Sequence, residues 1–404
     1  MKNYFTLIKN PLNLFLLILL FTHCSRETTV DPPESEPTSI VSSNRITGIG
    51  ANQMTQIKNL FLSQQDINFP FHDVEIYRLV YKTVDVDGNE IEASGAVMIP
   101  NMTDALPIVS YQHGTITEDT SAPSNFSLLN STEPVLAALI ASTGFIAVLP
   151  DYIGYGSSNT LRHPYEHRES LGKTSYDMLV AAKEFLEENE IAYSNQLFLT
   201  GYSEGGTATM ALHQYIEQNS ALTVSHSVPA SGAYNKTAFS KSIMSLDEET
   251  PFLSHYLWVI DAYNDVYNLD LPWSSFVNEP YASTLESILW YDSSANLEGV
   301  SLNPSVLFTE SFRDEILEGA NTDFLTILDE NSFLDWTPTA PMSLVYGTED
   351  DFVYPLNTVT LYDALIANGT EVTLVPFEGE DHYSTVNFYI EYIVNLFHSL
   401  KNDE

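Results

Sequence analysis

A serine hydroxyl becomes a nucleophile when it is exposed, within reach of a base, and beside donors that hold the oxyanion formed on attack at a carbonyl. The stretch Gly201-Tyr202-Ser203-Glu204-Gly205 supplies the first condition. Small residues around the serine permit a sharp strand-to-helix turn that lifts its hydroxyl off a sheet. The flanks agree: residues 197–200 read as an apolar strand, and Ala208, Ala211, Leu212 and Tyr215 repeat at helical spacing. Ser203 is therefore the candidate nucleophile. The backbone N–H of Glu204, at the positive end of the following helix, is one candidate oxyanion donor. The N–H of Thr115, in the loop His113-Gly114-Thr115 after an earlier strand, is the other.

The base belongs after the last strand. Of ten histidines, His382 lies in Glu380-Asp381-His382-Tyr383, between a strand at 372–375 and a closing helix. His398 falls within that helix and is expected on its surface. His113 precedes the serine and is expected to make structural hydrogen bonds. The third member orients and charge-stabilises the imidazolium. A strand at 341–346 runs into Glu349-Asp350-Asp351, so three acids compete; Asp350 is preferred, then Asp351, then Glu349. The preceding strand, 225–230, has no acid after it until Asp247, which argues against the alternative acid position. The resulting order is Ser203, Asp350, His382.

The elements that must position these residues follow a consistent pattern. Two alternating segments, Val74–Val84 and 91–99, flank Asp87-Gly88-Asn89 and read as an antiparallel hairpin. Beyond them, short continuous apolar runs at 108–111, 145–149 and 197–199 suit strands covered on both faces. Helical patterns at 134–142 and 176–186 separate them. Such alternation predicts a mostly parallel central sheet flanked by helices, an α/β fold. Residues 234–336 break the rhythm, carry all four tryptophans at or near their span (258, 273, 290, 336), and read as a mainly helical cap between the sixth and seventh strands. A separate helical domain is the alternative. The core is then expected over 46–233 and 337–404. No repeat of 20–50 residues suggests a solenoid or propeller.

Composition sets the surroundings. Fifteen basic residues against 54 acidic ones leave a formal charge of −39. Such a chain repels phosphate backbones, so nucleic-acid binding is a poor hypothesis. Lys2 and Lys9 precede an apolar run over 12–21, too short to span a bilayer comfortably but suited to an export signal. The one cysteine, Cys24, follows it. Phe21-Thr22-His23-Cys24 resembles a bacterial lipoprotein signal, departing from it at Phe21 and His23, and makes Cys24 the candidate lipid anchor; plain secretion is the alternative. Residues 25–45, rich in Ser, Thr, Pro and Glu, read as a tether. Without a second cysteine no disulfide forms within the chain.

Two clusters look like metal sites. His163 and His167 lie four apart, but Pro164 between them argues against a zinc-binding helix, and a structured loop near the active-site rim is expected. Asp261, Asp265 and Asp270 lack a calcium-loop pattern and are expected on a solvated face.

Taken in order, Tyr111-Gln112-His113-Gly114-Thr115, Pro150-Asp151-Tyr152-Ile153-Gly154-Tyr155-Gly156-Ser157, His163-Pro164-Tyr165, Gly201 to Gly206, Gly347-Thr348-Glu349-Asp350 and Asp381-His382 resemble the bacterial and fungal secretory lipase/esterase branch of the α/β-hydrolases. The resemblance spans about residues 74 to 400. It implies a Ser-Asp-His triad, a two-step acyl-enzyme reaction on a carboxylic ester, a helical cap over the acyl pocket, and no cofactor or metal. The expected partner is a small-molecule, lipid or glycan ester, with membrane contact only through a lipid anchor. A serine peptidase with the same triad and a non-catalytic tethered binding protein are the alternatives.

Overall fold

A computed structural model of the chain describes residues 38–128, 132–288, 292–320 and 322–401. Cys24, the export signal before it, residues 25–37 of the expected tether and Trp290 lie outside the described residues. Nine strands form one sheet: β1 (Ile40–Ile49), β2 (Val74–Val84), β3 (Glu90–Pro100), β4 (Leu106–Gln112), β5 (Ile146–Pro150), β6 (Tyr193–Tyr202), β7 (His226–Ala230), β8 (Met342–Gly347) and β9 (Val372–Phe377). Their spatial order is β1-β2-β3-β5-β4-β6-β7-β8-β9. The first pairs, through β3 with β5, are antiparallel. Every pair beyond is parallel.

The helices are α1 (Ala51–Phe61), α2 (Thr132–Ser142), α3 (Arg168–Glu188), α4 (Glu204–Asn219), α5 (Lys236–Met244), α6 (Leu253–Val266), α7 (Tyr281–Glu286), α8 (Pro304–Leu307), α9 (Glu310–Glu318), α10 (Thr322–Glu330), α11 (Leu356–Ala367) and α12 (Thr385–Lys401). They explain why the parallel strands are apolar without alternation. Val109, Tyr111, Ala147, Leu149 and Phe198 enter a core shared with α2 and α12. Their neighbours Ile108, Ile146, Val148, Leu197 and Leu199 enter the opposite core, shared with α3 and α4. Each successive side chain changes face, and both faces are covered.

Between β7 and β8 the chain turns helical, α5 to α10, around an aromatic-rich core of its own that includes Trp258, Tyr263, Phe276, Phe312 and Phe324. At the N-terminal edge the structure corrects the expected tether. Residues 40–45 belong to β1, which pairs antiparallel with β2. Most β1 side chains face water, so its composition reads as linker while its backbone completes a sheet edge. With β1 counted, this helical segment lies between the seventh and eighth strands.

Candidate active site

β6 ends at Tyr202, and Ser203 follows with φ 60° and ψ −123°, before α4 begins at Glu204. A positive φ is strained for a residue with a Cβ, and it persists where the surroundings fix it. Here the Ser203 N–H donates to the Ala230 carbonyl of β7 at 2.9 Å. The glycines are needed because backbone closes in on the turn. A Cβ on Gly201 or Gly205 would collide with the Gln112 carbonyl oxygen at the end of β4, and one on Gly206 with that of Ala230.

Three loops from three strand ends meet at this turn. The Ser203 Oγ lies 3.0 Å from Nε2 of His382, and Nδ1 of His382 lies 2.7 Å from Oδ2 of Asp350. A carboxylate only accepts, so Nδ1 carries the hydrogen and Nε2 is left to accept from the serine. Asp350 is 3% exposed. Its other oxygen, Oδ1, accepts the N–H groups of Phe352 and Val353 at 3.0 and 2.9 Å. The loop carrying His382 is fixed by Asp381, whose Oδ1 accepts from Tyr383 N–H (3.0 Å) and Ser384 N–H (2.8 Å), and by Tyr202, whose hydroxyl donates to the His382 carbonyl (2.7 Å). Of the three competing acids, Asp350 is the one brought to the imidazole. Asp351 lines the adjoining pocket.

Of the expected oxyanion donors, Glu204 directly follows Ser203, and the loop carrying Thr115 meets the turn at Gly114, where a Cβ would lie 3.1 Å from the Tyr202 carbonyl oxygen. Among the described residues neither the Thr115 nor the Glu204 backbone N–H has a hydrogen-bond partner. The Thr115 hydroxyl is paired with that of Tyr165 at 2.9 Å. A residue the sequence did not flag, Glu133 on α2, holds this loop: its carboxylate accepts the Gly114 N–H at 3.0 and 2.9 Å. Burial of that carboxyl raises its pKa from 4.5 to about 7, against the opposing hydrogen bonds from Gly114 and Tyr111. His113 is structural, as expected; its ring nitrogens lie against the carbonyls of Gly114 (2.7 Å) and Asp151 (3.2 Å). Tyr152 donates its hydroxyl to the His113 carbonyl at 3.0 Å.

Two buried acid–base pairs were not foreseen. The Glu204 side chain, 1% exposed, meets Nε2 of His163 at 2.7 Å, and Nδ1 of His163 donates to the Ile153 carbonyl at 2.7 Å. Because a carbonyl can only accept, the hydrogen on Nδ1 leaves Nε2 facing the Glu204 carboxyl. His163 thus holds the side chain of the residue that follows Ser203. The second pair joins Lys236 to Glu166 at 2.6 Å. One surface expectation fails. His398 is buried and stacks on Phe69 at 3.6 Å, and its burial lowers its pKa to about 4. Of the three cap aspartates, Asp265 and Asp270 are exposed, as expected; Asp261, its side chain only 14% exposed, holds Arg162 together with Asp265, the latter at 3.0 Å.

A pocket containing Ser203 is walled in part by α5 and α6, with about 660 Å³ of empty space including its mouth. Its walls are chiefly Phe239, Ile243, Phe252, Tyr256, Phe352 and Tyr354. His255 on its wall is held neutral, burial lowering its pKa to about 4.

No protein-family model and no curated protein sequence matches this chain. Solved structures do. A structure assigned as a hydrolase from Legionella pneumophila is 24% identical, covers 90% of this chain and 99% of its own, and superposes with a TM-score of 0.80. The rice cell wall degrading esterase LipA from Xanthomonas oryzae is 23% identical over 89% of this chain and 97% of its own, with a TM-score of 0.75. Candida antarctica lipase A is 16% identical over 85% of this chain and 77% of its own, with a TM-score of 0.61. This chain has the α/β-hydrolase fold. Relative to that fold, Ser203, Asp350 and His382 follow β6, β8 and β9 at the carboxyl ends of parallel strands, where open α/β sheets place their ligands.

Proposed function

We propose that the protein is an exported serine hydrolase of carboxylic esters, with Ser203 as nucleophile, His382 as base and Asp350 as its orienting acid. The observation that carries this reading is the relay from Ser203 through His382 to Asp350, at 3.0 and 2.7 Å. Ser203 attacks the ester carbonyl as its proton passes to Nε2 of His382. The developing oxyanion is held by the N–H groups of Thr115 and Glu204. Collapse expels the alcohol, which takes the proton from His382, and leaves an acyl-serine. Water, deprotonated by His382, then releases the carboxylic acid and restores the hydroxyl. Asp350 stays ionised throughout and stabilises the imidazolium. The chemistry asks for no cofactor.

The names of the similar structures, an esterase and a lipase, support esters over amides. The export signal and the candidate anchor Cys24 extend the proposal to a protein tethered outside the cytoplasm, which the mass of the mature N-terminus tests. For the reaction, Ser203→Ala is expected to abolish both hydrolysis of 4-nitrophenyl esters and labelling by a fluorophosphonate, with amino-acid arylamides assayed beside them. Undiminished ester turnover in the variant rejects Ser203, and faster turnover of arylamides than of esters rejects the ester preference.

A further inference from the structure

One feature of the acyl pocket does not fit a plain hydrocarbon site. Among walls of Phe239, Ile243, Tyr256 and Leu328, the pocket that contains Ser203 is also lined by Glu166, Ala233 and Lys236. These three form one hydrogen-bonded cluster: the Lys236 ammonium donates to Glu166 Oε2 at 2.6 Å and to the Ala233 carbonyl at 2.8 Å. Both charged side chains are deeply buried, Lys236 at 4% and Glu166 at 7% exposure. An ammonium has three donors. Among the described residues the third hydrogen of Lys236 has no partner.

We propose, resting on the ester-hydrolase reading, that Lys236 and Glu166 form a polar subsite in the acyl pocket that selects acyl groups bearing a neutral oxygen acceptor along their chain. An apolar pocket with a few convergent polar groups is how small ligands are oriented and discriminated. The third ammonium hydrogen donates to that oxygen. A carboxylate terminus is disfavoured, because the pair is neutral as a unit and Asp351 lines the same pocket, within a chain of net charge −39. The pair also joins the first cap helix to the loop before α3, since Lys236 opens α5 and Glu166 lies two residues ahead of Arg168. That tie alone does not require charge: replacing a buried ion pair by packed apolar groups is often neutral or stabilising. Glu166 is moreover held at φ 60°, a conformation that persists where neighbouring structure enforces it and that clusters at ligand sites.

The test compares 4-nitrophenyl alkanoates with their ω-methoxy counterparts of matched length. The readout is the ratio of the two kcat/KM values within each enzyme, which a general loss of folding or activity does not move. In the wild type, the methoxy ester is expected to be favoured about 10-fold at the length that brings its oxygen to Lys236, the size of a hydrogen bond to a charged group. In Lys236→Met/Glu166→Leu the ratio is expected to fall to one or below. A wild type that hydrolyses alkanoates with no methoxy preference at any length overturns the subsite and leaves the esterase reading standing. Survival of the preference in the double variant overturns it as well. A wild type that hydrolyses no ester overturns both. Should the double variant fail to fold, the wild-type ratio across the length series still decides.

Discussion

Replacing Asp350 by asparagine distinguishes a working triad from a serine that merely neighbours a histidine. Oδ1 of Asp350 faces two donors, the N–H groups of Phe352 and Val353. An asparagine must keep its carbonyl oxygen there, because an amide nitrogen in that place would lose both bonds. Its NH2 then occupies the position of Oδ2, 2.7 Å from Nδ1 of His382. Two N–H groups cannot share that space, so the imidazole adopts the tautomer with its hydrogen on Nε2. That nitrogen now donates toward Ser203 and cannot take its proton. The change also removes the charge that stabilises the imidazolium. The expected loss in kcat is about 10⁴-fold, or about 5.5 kcal/mol of transition-state stabilisation, as at other triads treated in this way. KM should move little, since Asp350 is absent from the pocket wall while its neighbour Asp351 is on it. Steady-state hydrolysis of 4-nitrophenyl butyrate measures both constants, with Glu349→Gln as the control of equal chemistry one residue away. A loss in Asp350→Asn of less than about tenfold, or an equal loss in Glu349→Gln, refutes the argument.

Two predictions concern pH. A carboxyl at about 7 in the fold against 4.5 unfolded supports the fold fully below pH 4.5, and that support is lost as pH rises through 7. Glu133→Gln removes the titration, so the melting temperature of the variant should gain on the wild type between pH 5 and about pH 8; a constant difference across the range contradicts the burial of Glu133. Glu217 behaves oppositely: although burial alone would raise it, hydrogen bonds from His213 and Thr339 hold it at about 2. Its contribution is present above pH 4.5 and lost as pH falls toward 2. Glu217→Gln should therefore destabilise at pH 6 and converge on the wild type near pH 2 to 3, as read by urea unfolding, because it loosens the chain entering β8, where Glu217 accepts from Thr339 and Ala340 at 2.9 and 3.0 Å.

What could be read in advance was local. The serine turn is legible because backbone crowding by Gln112 and Ala230 demands glycine at 201, 205 and 206, so the constraint is written within six consecutive residues. The parallel strands are legible because burial on both faces removes polar residues from short runs. β1 was hidden by the converse: an edge strand with wet side chains carries its information in backbone pairing, which composition does not record. His398 misled for a similar reason, since a polar residue type near a chain end looks solvated until Phe69 is seen stacked upon it.

The pairs that support the turn were illegible for another reason. Glu133 and Gly114 are 19 positions apart, His163 and Glu204 are 41, and Glu166 and Lys236 are 70. Each partner alone is an ordinary loop or helix residue, and only the sheet order brings it home. These pairs share a design: each engages one segment near the serine turn through a carboxylate, Glu133 on Gly114, Glu204 on His163, and Glu166 on the first helix after β7 through Lys236. Burying a carboxylate carries a desolvation penalty that an apolar core would avoid. Glu166 is paired with Lys236 and Glu204 with His163, while burial pushes Glu133 toward its protonated form.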